Sequence, residues 1–325
     1  MRRKTILAAL VILALFAAMP EVASAMGQSS LMTLAARILI YAMAAASLNF
    51  ILGYGGMISF GHAAFFGIGS YTVGILAHHL ASGEPLFGII PGSGDMAVTL
   101  PAALLVSGIA AAIIGALSLR TGGVQFIMIT LAFAQMLFFF FVALPTYGGE
   151  DGTIISSANS VPGLNMRRKA TVYYFILGVA TVYFLILWRL VHSSFGEVLK
   201  GIRQNERRMT AMGIPVYRYK LFAFILAGMG AGLAGALLAN FLRFASPDIM
   251  HWTKSGELMI MVILGGVGSF FGPILGAAAL LVLEFHLAGW SEHWQLALGA
   301  ILLLVVLGGR GGINGLLARL AGGRR

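Results

Sequence analysis

The chain has 325 residues, of which 59% are hydrophobic and only 10% are charged, and its mean hydropathy is +0.93. This balance excludes a soluble domain, because one core of this length could not bury so much apolar surface. The net charge of +10 does not indicate nucleic-acid binding, because the basic residues lie between apolar segments and form no polar basic domain. There is no cysteine, so disulfides, thiolate chemistry and cysteine-ligated metals are excluded.

The first 25 residues, MRRKTILAALVILALFAAMPEVASA, allow two interpretations. A basic start, an apolar stretch and the ending Ala23-Ser24-Ala25 are typical of a cleavable signal peptide. We favour an uncleaved first span, because a polytopic protein needs no separate signal once its first helix inserts.

Apolar segments of about 20 residues, the length that a bilayer requires, continue along the chain and predict an all-α, polytopic membrane protein with about eight to ten spans. We place the spans near residues 5–23, 31–52, 58–80, 97–119, 124–144, 170–191, 220–241, 257–287 and 291–308. If Arg2, Arg3 and Lys4 are cytoplasmic, residues 192–219 are cytoplasmic as well. The segments then expected outside are 81–96, 145–169 and 242–256.

Two glycine-rich stretches, residues 52–69 and 264–273, interrupt apolar segments and predict broken or re-entrant helices. They form a weak pseudo-repeat, in which Ile51-Leu52-Gly53 matches Ile263-Leu264-Gly265. Paired glycine-broken spans are typical of a transporter whose path lies between repeats, although close helix packing also explains single glycines. We therefore predict a translocation path along Gly53, Gly55, Gly56, Ser59, Gly61, His62, Gly265, Gly266 and Gly268.

No catalytic constellation is found in the sequence. There is no Gly-Lys pair, which excludes a GxxxxGK[ST] phosphate loop, and the seven histidines lack the spacing of a metal site. The GxGxxG match at residues 230–235 lies in an apolar span, where close helix packing explains it better than a dinucleotide site. We expect no enzyme activity, no cofactor and no metal. His62, in the first glycine-rich stretch, should face a cavity or a backbone carbonyl.

Two further ionisable residues, Arg37 and Glu284, lie near or within apolar spans. Each should find a partner, water or the membrane interface, because an isolated charge in the bilayer is costly. For Arg37, near the outer end of its span, we favour an extended side chain that reaches the interface.

The charged stretch between the sixth and seventh predicted spans predicts an amphipathic helix of about 18 residues. Ser194 and Glu197 fit an S-x-x-E capping box, and Gly213 followed by Pro215 predicts the helix end. The apolar face comprises Phe195, Val198, Leu199, Ile202, Met209 and Met212. Because spans tether the helix at both ends, we favour a protein partner over anionic lipid as its contact.

Several segments, including LNFILGYGGMISFGHAAFFGIGSYTVGIL (48–76), YGGEDGTI (147–154) and GEVLKGIRQNERRMTAMGIPVYRYK (196–220), resemble the permease family of branched-chain amino-acid (LIV-type) ABC importers, and the larger of its two permeases in particular. The resemblance implies a single transmembrane permease domain over residues 1–325 of the bacterial inner membrane. It implies as partners a second permease subunit, two cytoplasmic ATPases, a periplasmic solute-binding protein and the lipid bilayer.

The resemblance also implies that residues 192–219 form a cytoplasmic coupling loop. The residues to which the ATPase-coupling role is carried over are Glu197, Arg203, Asn205, Glu206, Ala211 and Gly213. The implied cargo is branched-chain or related small amino acids, with urea, amides and aromatic acids as alternatives within the same machinery. A stand-alone channel or secondary carrier is the alternative of another class, and it would need selectivity or ion-coupling groups at membrane depth. A non-transporting scaffold would have little use for paired broken spans.

Overall fold

The protein is built almost entirely from α-helices, as its computed structural model shows for residues 2–86, 88–156, 160–161, 166, 168–289, 296, 298–300, 302–303 and 311–315. The helices are α1 (Arg2–Ala25), α2 (Ser29–Asn49), α3 (His62–Ser82), α4 (Met96–Ser118), α5 (Val124–Val142), α6 (Lys169–Val191), α7 (Ser194–Gln204), α8 (Glu206–Ala211), α9 (Val216–Leu242), α10 (Trp252–Gly265) and α11 (Gly272–Leu287). The all-α, polytopic prediction is confirmed.

Six helices of the described residues are long and apolar enough to cross a membrane, namely Leu7–Ala25, Ser29–Tyr54, Met96–Ser118, Val124–Val142, Lys169–Val191 and Val216–Leu242. Helix α3 has 21 residues but is less apolar, and α10 and α11 have only 14 and 16 residues. The predicted span 257–287 is therefore two short helices. The predicted span 291–308 lies largely outside the described residues.

Helices α10 and α11 form an antiparallel hairpin rather than one interrupted span. Gly265 faces the backbone of Gly272, and Gly276 faces the carbonyl of Met261. Residues 311–315 lie beside the turn of this hairpin, since Gly312 approaches the carbonyl of Leu264. The chain after α11 thus returns to the end of the molecule that carries α7 and α8, which we call the inner end.

The opposite, outer end gathers the three segments that the sequence places on one side of the membrane. The strands β1 (Thr153–Ile154) and β2 (Phe244–Ala245) pair antiparallel, with Thr153 opposite Ala245. A bridge between Asp95 and Ser160 adds the segment before α4. This arrangement agrees with the predicted alternation of sides.

Helix α9 occupies the centre and packs closely against α3 and α4. The close approach depends on glycine: Gly69 of α3 faces the Gly232 backbone, and Gly235 faces the carbonyl of Phe66. Gly232 also lies against Ser107 of α4. The GxGxxG pattern is therefore a helix-packing surface, as its apolar context indicated.

Both glycine-rich stretches reverse the chain between two helices. In the first, α2 continues through a π-helical turn, Phe50–Tyr54, and residues 55–61 lead into α3. In the second, residues 266–271 connect α10 to α11. The prediction of two glycine-broken elements is confirmed.

Candidate functional site

The two glycine-broken stretches meet at the inner end, where Asn49 joins them. Asn49 is buried at the end of α2, and its Oδ1 accepts a hydrogen bond of 2.9 Å from the Gly268 amide. Its Nδ2 donates to the Ser269 carbonyl, also at 2.9 Å. We call this contact, formed by Asn49, Gly53, Gly268 and Ser269, the inner junction.

Glycine is required at two positions of the inner junction. A Cβ on Gly53 would overlap the Asn49 side chain and lie 2.7 Å from the Gly268 Cα. Gly268 has a φ of +78°, which non-glycine residues rarely adopt. The two backbones can approach this closely only because neither position has a side chain.

Helix α7 lies directly on the inner junction through Arg203. The Arg203 guanidinium donates a hydrogen bond to the Gly53 carbonyl and lies beside Gly268. One turn earlier, Leu199 is buried and faces Gly55, and the Arg203 stem covers Gly56. Arg203, a predicted ATPase-coupling residue, thus contacts the predicted path residues in this structure.

The start of α7 differs by one residue from the prediction. The N-cap is Ser193, whose Oγ accepts a hydrogen bond from the Gly196 amide, so the predicted Ser194–Glu197 capping box is wrong. Gly196 lies so close to the Val191 carbonyl that a Cβ would not fit there. This contact fixes the direction in which the chain turns from α6 into α7. Glu197 instead pairs with Lys200 at 2.7 Å, and that hydrogen bond holds the pKa of the Glu197 carboxyl below its usual value.

The predicted 18-residue helix is two helices, because Asn205 breaks it. Asn205 has extended backbone angles, and its side chain accepts a hydrogen bond of 3.0 Å from the Arg208 amide to cap α8. An asparagine side chain competes with the helix for backbone groups, which explains the break. Glu206 then pairs with Lys220 of α9 at 2.5 Å. Gly213 ends the segment with a φ of +81°, as predicted.

The two helices differ in burial. Leu199 and Ile202 of α7 are buried, whereas no residue of α8 is. Glu206, Ala211 and Gly213 are exposed. Met212, predicted on the packed apolar face, is 67% exposed. The predicted coupling residues after Asn205 therefore present an open surface.

A cavity of about 760 Å³ opens beside the inner junction, between α6, α7 and the second break. Of the predicted path residues, Gly53 and Gly268 line it. The remaining lining residues are Tyr54, Trp188, Val191, His192, Lys200, Arg203, Gln204, Phe270 and Phe271.

The other predicted path residues pack within the bundle. His62 is fully buried, with its Nε2 2.7 Å from the Ser47 hydroxyl rather than beside a backbone carbonyl. Ser59 is buried and accepts a hydrogen bond from the Gly61 amide, and Gly61 lies against the Thr130 backbone. Gly265 and Gly266 lie against Gly272 and residues 311–315.

Comparison with known proteins places these features in a family. The model of the family described as branched-chain amino acid transport system / permease component matches residues 30–307. The chain belongs to this permease family. The inner junction, α7 and α8 all lie within the matched part of this permease.

Individual relatives of the permease share about a quarter of its residues. LivM, the high-affinity branched-chain amino acid transport system permease protein of Salmonella typhimurium, is 26% identical over 298 residues, or 84% of this chain and 67% of LivM. LivM of Escherichia coli K12 is 26% identical over 83% of this chain and 66% of its own. The permease thus spans about two thirds of the length of these two relatives.

More distant transport proteins match as well. LivH, a second permease protein of the Escherichia coli system, is 24% identical over 82% of this chain and 88% of its own. The ribose import permease protein RbsC of Bacillus subtilis is 28% identical over 48% of this chain and 52% of its own. No solved structure matches. The matches support a membrane transport permease and leave its solute open.

Proposed function

We propose that this chain is the membrane-spanning translocation subunit of a binding-protein-dependent ABC importer for branched-chain or related small amino acids. It works in the bacterial inner membrane with a second permease subunit, two cytoplasmic ATPases and a periplasmic solute-binding protein. The chain itself hydrolyses no ATP, because its sequence lacks the phosphate loop that such chemistry uses. Residues 192–219 are its coupling loop.

One observation carries the proposal: Arg203 of α7 is bonded to Gly53 and lies against Gly268, so the coupling loop directly contacts the point where the two broken stretches meet. A movement of α7 must therefore disturb the inner junction. The cavity beside the junction, lined by Gly53 and Gly268, supports a path whose inner end the junction closes.

The division of labour follows from burial. Helix α8 and the following Gly213 dock on an ATPase, because their surface is open and their backbone is fixed by the Asn205 cap. Helix α7 transmits the displacement, because it is packed on the bundle through Leu199. The coupling free energy comes from a difference in ATPase contact between the ATP-bound and nucleotide-free states, since equal contact would shift no equilibrium.

Reconstitution tests the proposal. Proteoliposomes that contain this chain, a second permease and the two ATPases should take up radiolabelled leucine only when ATP and the binding protein are both present. Uptake by this chain alone would instead establish a channel or secondary carrier. A thermal-shift screen of the binding protein against amino acids, urea, short amides, aromatic acids and ribose identifies the solute.

A further inference from the structure

A second group of charged residues lies at the outer ends of α2, α10 and α11, at the opposite end of the molecule from α7. Arg37 of α2 pairs with Glu284 of α11, with Nη2 3.7 Å from Oε1. Lys254 and Glu257 of α10 pair at 2.8 Å. Helices α2, α10 and α11 pack on one another, which brings the two pairs and Tyr41 of α2 to the same end of the three helices. We call Arg37, Tyr41, Lys254, Glu257 and Glu284 the outer charge cluster.

The helix lengths give the distance of the cluster from the inner turn. Glu284 follows Gly272 by twelve residues and Lys254 precedes Gly265 by eleven, which places both about 17–18 Å from the inner turn at 1.5 Å per residue. The hydrocarbon core of a bilayer is about 30 Å thick. With the inner turn under α7 at the inner surface, the cluster lies in the outer half of the core.

The charged side chains are partly open at that depth. Those of Arg37, Glu284, Lys254 and Glu257 are 36%, 29%, 35% and 36% exposed. Charges that face lipid at this depth are strongly disfavoured, and ionisable groups in spans line water-filled paths or face other protein. The face formed by α2, α10 and α11 is therefore turned to the path or to the second permease subunit rather than to lipid.

The charges and their neighbours indicate a class of solute. Two cations and two carboxylates offer partners to a group that carries both a positive and a negative charge. Hydrogen bonds to ionised groups are stronger than those between neutral groups. An uncharged sugar would form hydrogen bonds with these groups but no ion pair. Between Glu257 and the inner junction, Ile260 and Ile263 of α10 and Val267 of the following turn are exposed. Apolar side chains would pass along these residues.

We propose that the outer charge cluster receives the head group of a zwitterionic α-amino acid on the path, with the carboxylate on Arg37 and Lys254 and the ammonium on Glu257 and Glu284. This inference rests on the proposed function and names the solute-selecting residues of the membrane subunit.

The competing role for these residues is structural: the Arg37–Glu284 pair would hold α11 against α2, and the Lys254–Glu257 pair would stabilise the first turns of α10. The two roles differ when a whole pair is neutralised. Removing both charges of a pair leaves no uncompensated charge, so a structural pair tolerates the change. A recognition pair does not, because the solute loses its partners.

The test is the double variant Lys254→Met with Glu257→Gln in the full reconstituted complex. We expect leucine uptake to fall about tenfold or more, with assembly and basal ATP hydrolysis unchanged. The charge-conserving pair Lys254→Arg with Glu257→Asp should keep most of the uptake. Normal uptake by the neutral double variant, or equal loss in the conservative one, would overturn the inference.

Two further arms keep the test decisive. If the neutral α10 variant does not assemble, Arg37→Gln with Glu284→Gln makes the same comparison on the second pair, with the same expected loss. A wild-type complex that imports ribose and no amino acid would overturn the proposed solute together with this inference. Wild-type leucine uptake that the neutral variants leave intact would overturn this inference alone.

Discussion

Helices α7 and α8 are adjacent in sequence and similar in charge, yet they differ in how far they are packed against the rest of the protein. In α7, Leu199 and Ile202 are buried, and Phe195 stacks on Tyr219 with ring centroids 5.5 Å apart. Helix α8 buries none of its residues. Within one short loop, one helix is part of the membrane bundle and the next is a surface that another protein can bind. The break at Asn205 separates the packed helix from the exposed one.

The largest effect is expected beneath α7, at Gly53. Gly53→Val would force side-chain atoms into Asn49 and Gly268, so we expect a loss of about 1–3 kcal/mol of unfolding free energy and no transport. Thermal unfolding of the detergent-solubilised complex measures the loss of stability. The control is Gly178→Ala in α6, where a Cβ has no neighbour within 4 Å and helix propensity predicts slight stabilisation. Equal melting temperatures for the two variants would contradict the inner junction.

Arg203→Ala tests the link between α7 and the inner junction. It removes a charge-assisted hydrogen bond to the Gly53 carbonyl, which contributes about 1.5–3 kcal/mol. We expect ATP hydrolysis that no longer needs the binding protein, and less leucine carried per ATP. The exposed Arg218 gives the matched control, Arg218→Ala, which should behave as wild type. If Arg203→Ala carries as much leucine per ATP hydrolysed as the wild type, α7 has no part in gating.

Asn205→Ala tests whether the break between the helices is built by one side chain. Loss of the cap should cost about 1 kcal/mol and allow the continuous helix that alanine favours. Hydrogen exchange of the Arg208 amide, which the Asn205 side chain binds, should change. Asn205→Asp preserves the cap and serves as control. The prediction fails if the Arg208 amide exchanges at the same rate in Asn205→Ala and Asn205→Asp.

The smallest effect on stability is expected on the far side of the break, at Met212. Met212→Ser should change unfolding free energy by less than about 0.5 kcal/mol, because the side chain is 67% exposed. It should nevertheless weaken capture of the purified ATPase by the permease. Met209→Ser is the informative counterpart, since Met209 packs on Gly201 and its loss should lower the melting temperature. Full ATPase capture by Met212→Ser would remove Met212 from the docking surface.

The sequence predicted the elements that local chemistry controls. Several glycines close together weaken a helix, so breaks in residues 52–69 and 264–273 were predictable, although not that each would reverse the chain. Gly213 was also predictable as a helix end, because only glycine readily takes its left-handed angles. The Ser194 cap was misplaced because Ser194 fits the S-x-x-E pattern, whereas the helix is capped by Ser193, where the close packing of Gly196 on the Val191 carbonyl fixes the chain.

Long-range contacts were not predictable in the same way. The sequence gives no reason for Asn49 to bind Gly268 and Ser269, which lie about 220 positions away, as the hydrogen bonds at separations of 219 and 220 show. Arg37 and Glu284 were expected to find some partner, and the fold pairs them with each other, where we had favoured the interface for Arg37. One available signal was overlooked: Lys254 and Glu257 stand one turn apart on an otherwise apolar helix.

The most direct test of the account follows the distance between α7 and the second glycine break. Because the chain has no cysteine, spin labels can be placed by Gln204→Cys and Val267→Cys, beside Arg203 and Gly268. We expect the label-to-label distance in the assembled complex to lengthen when the ATPases bind ATP. The same distance in the nucleotide-free and ATP-bound complexes would contradict the claim that α7 opens the inner junction.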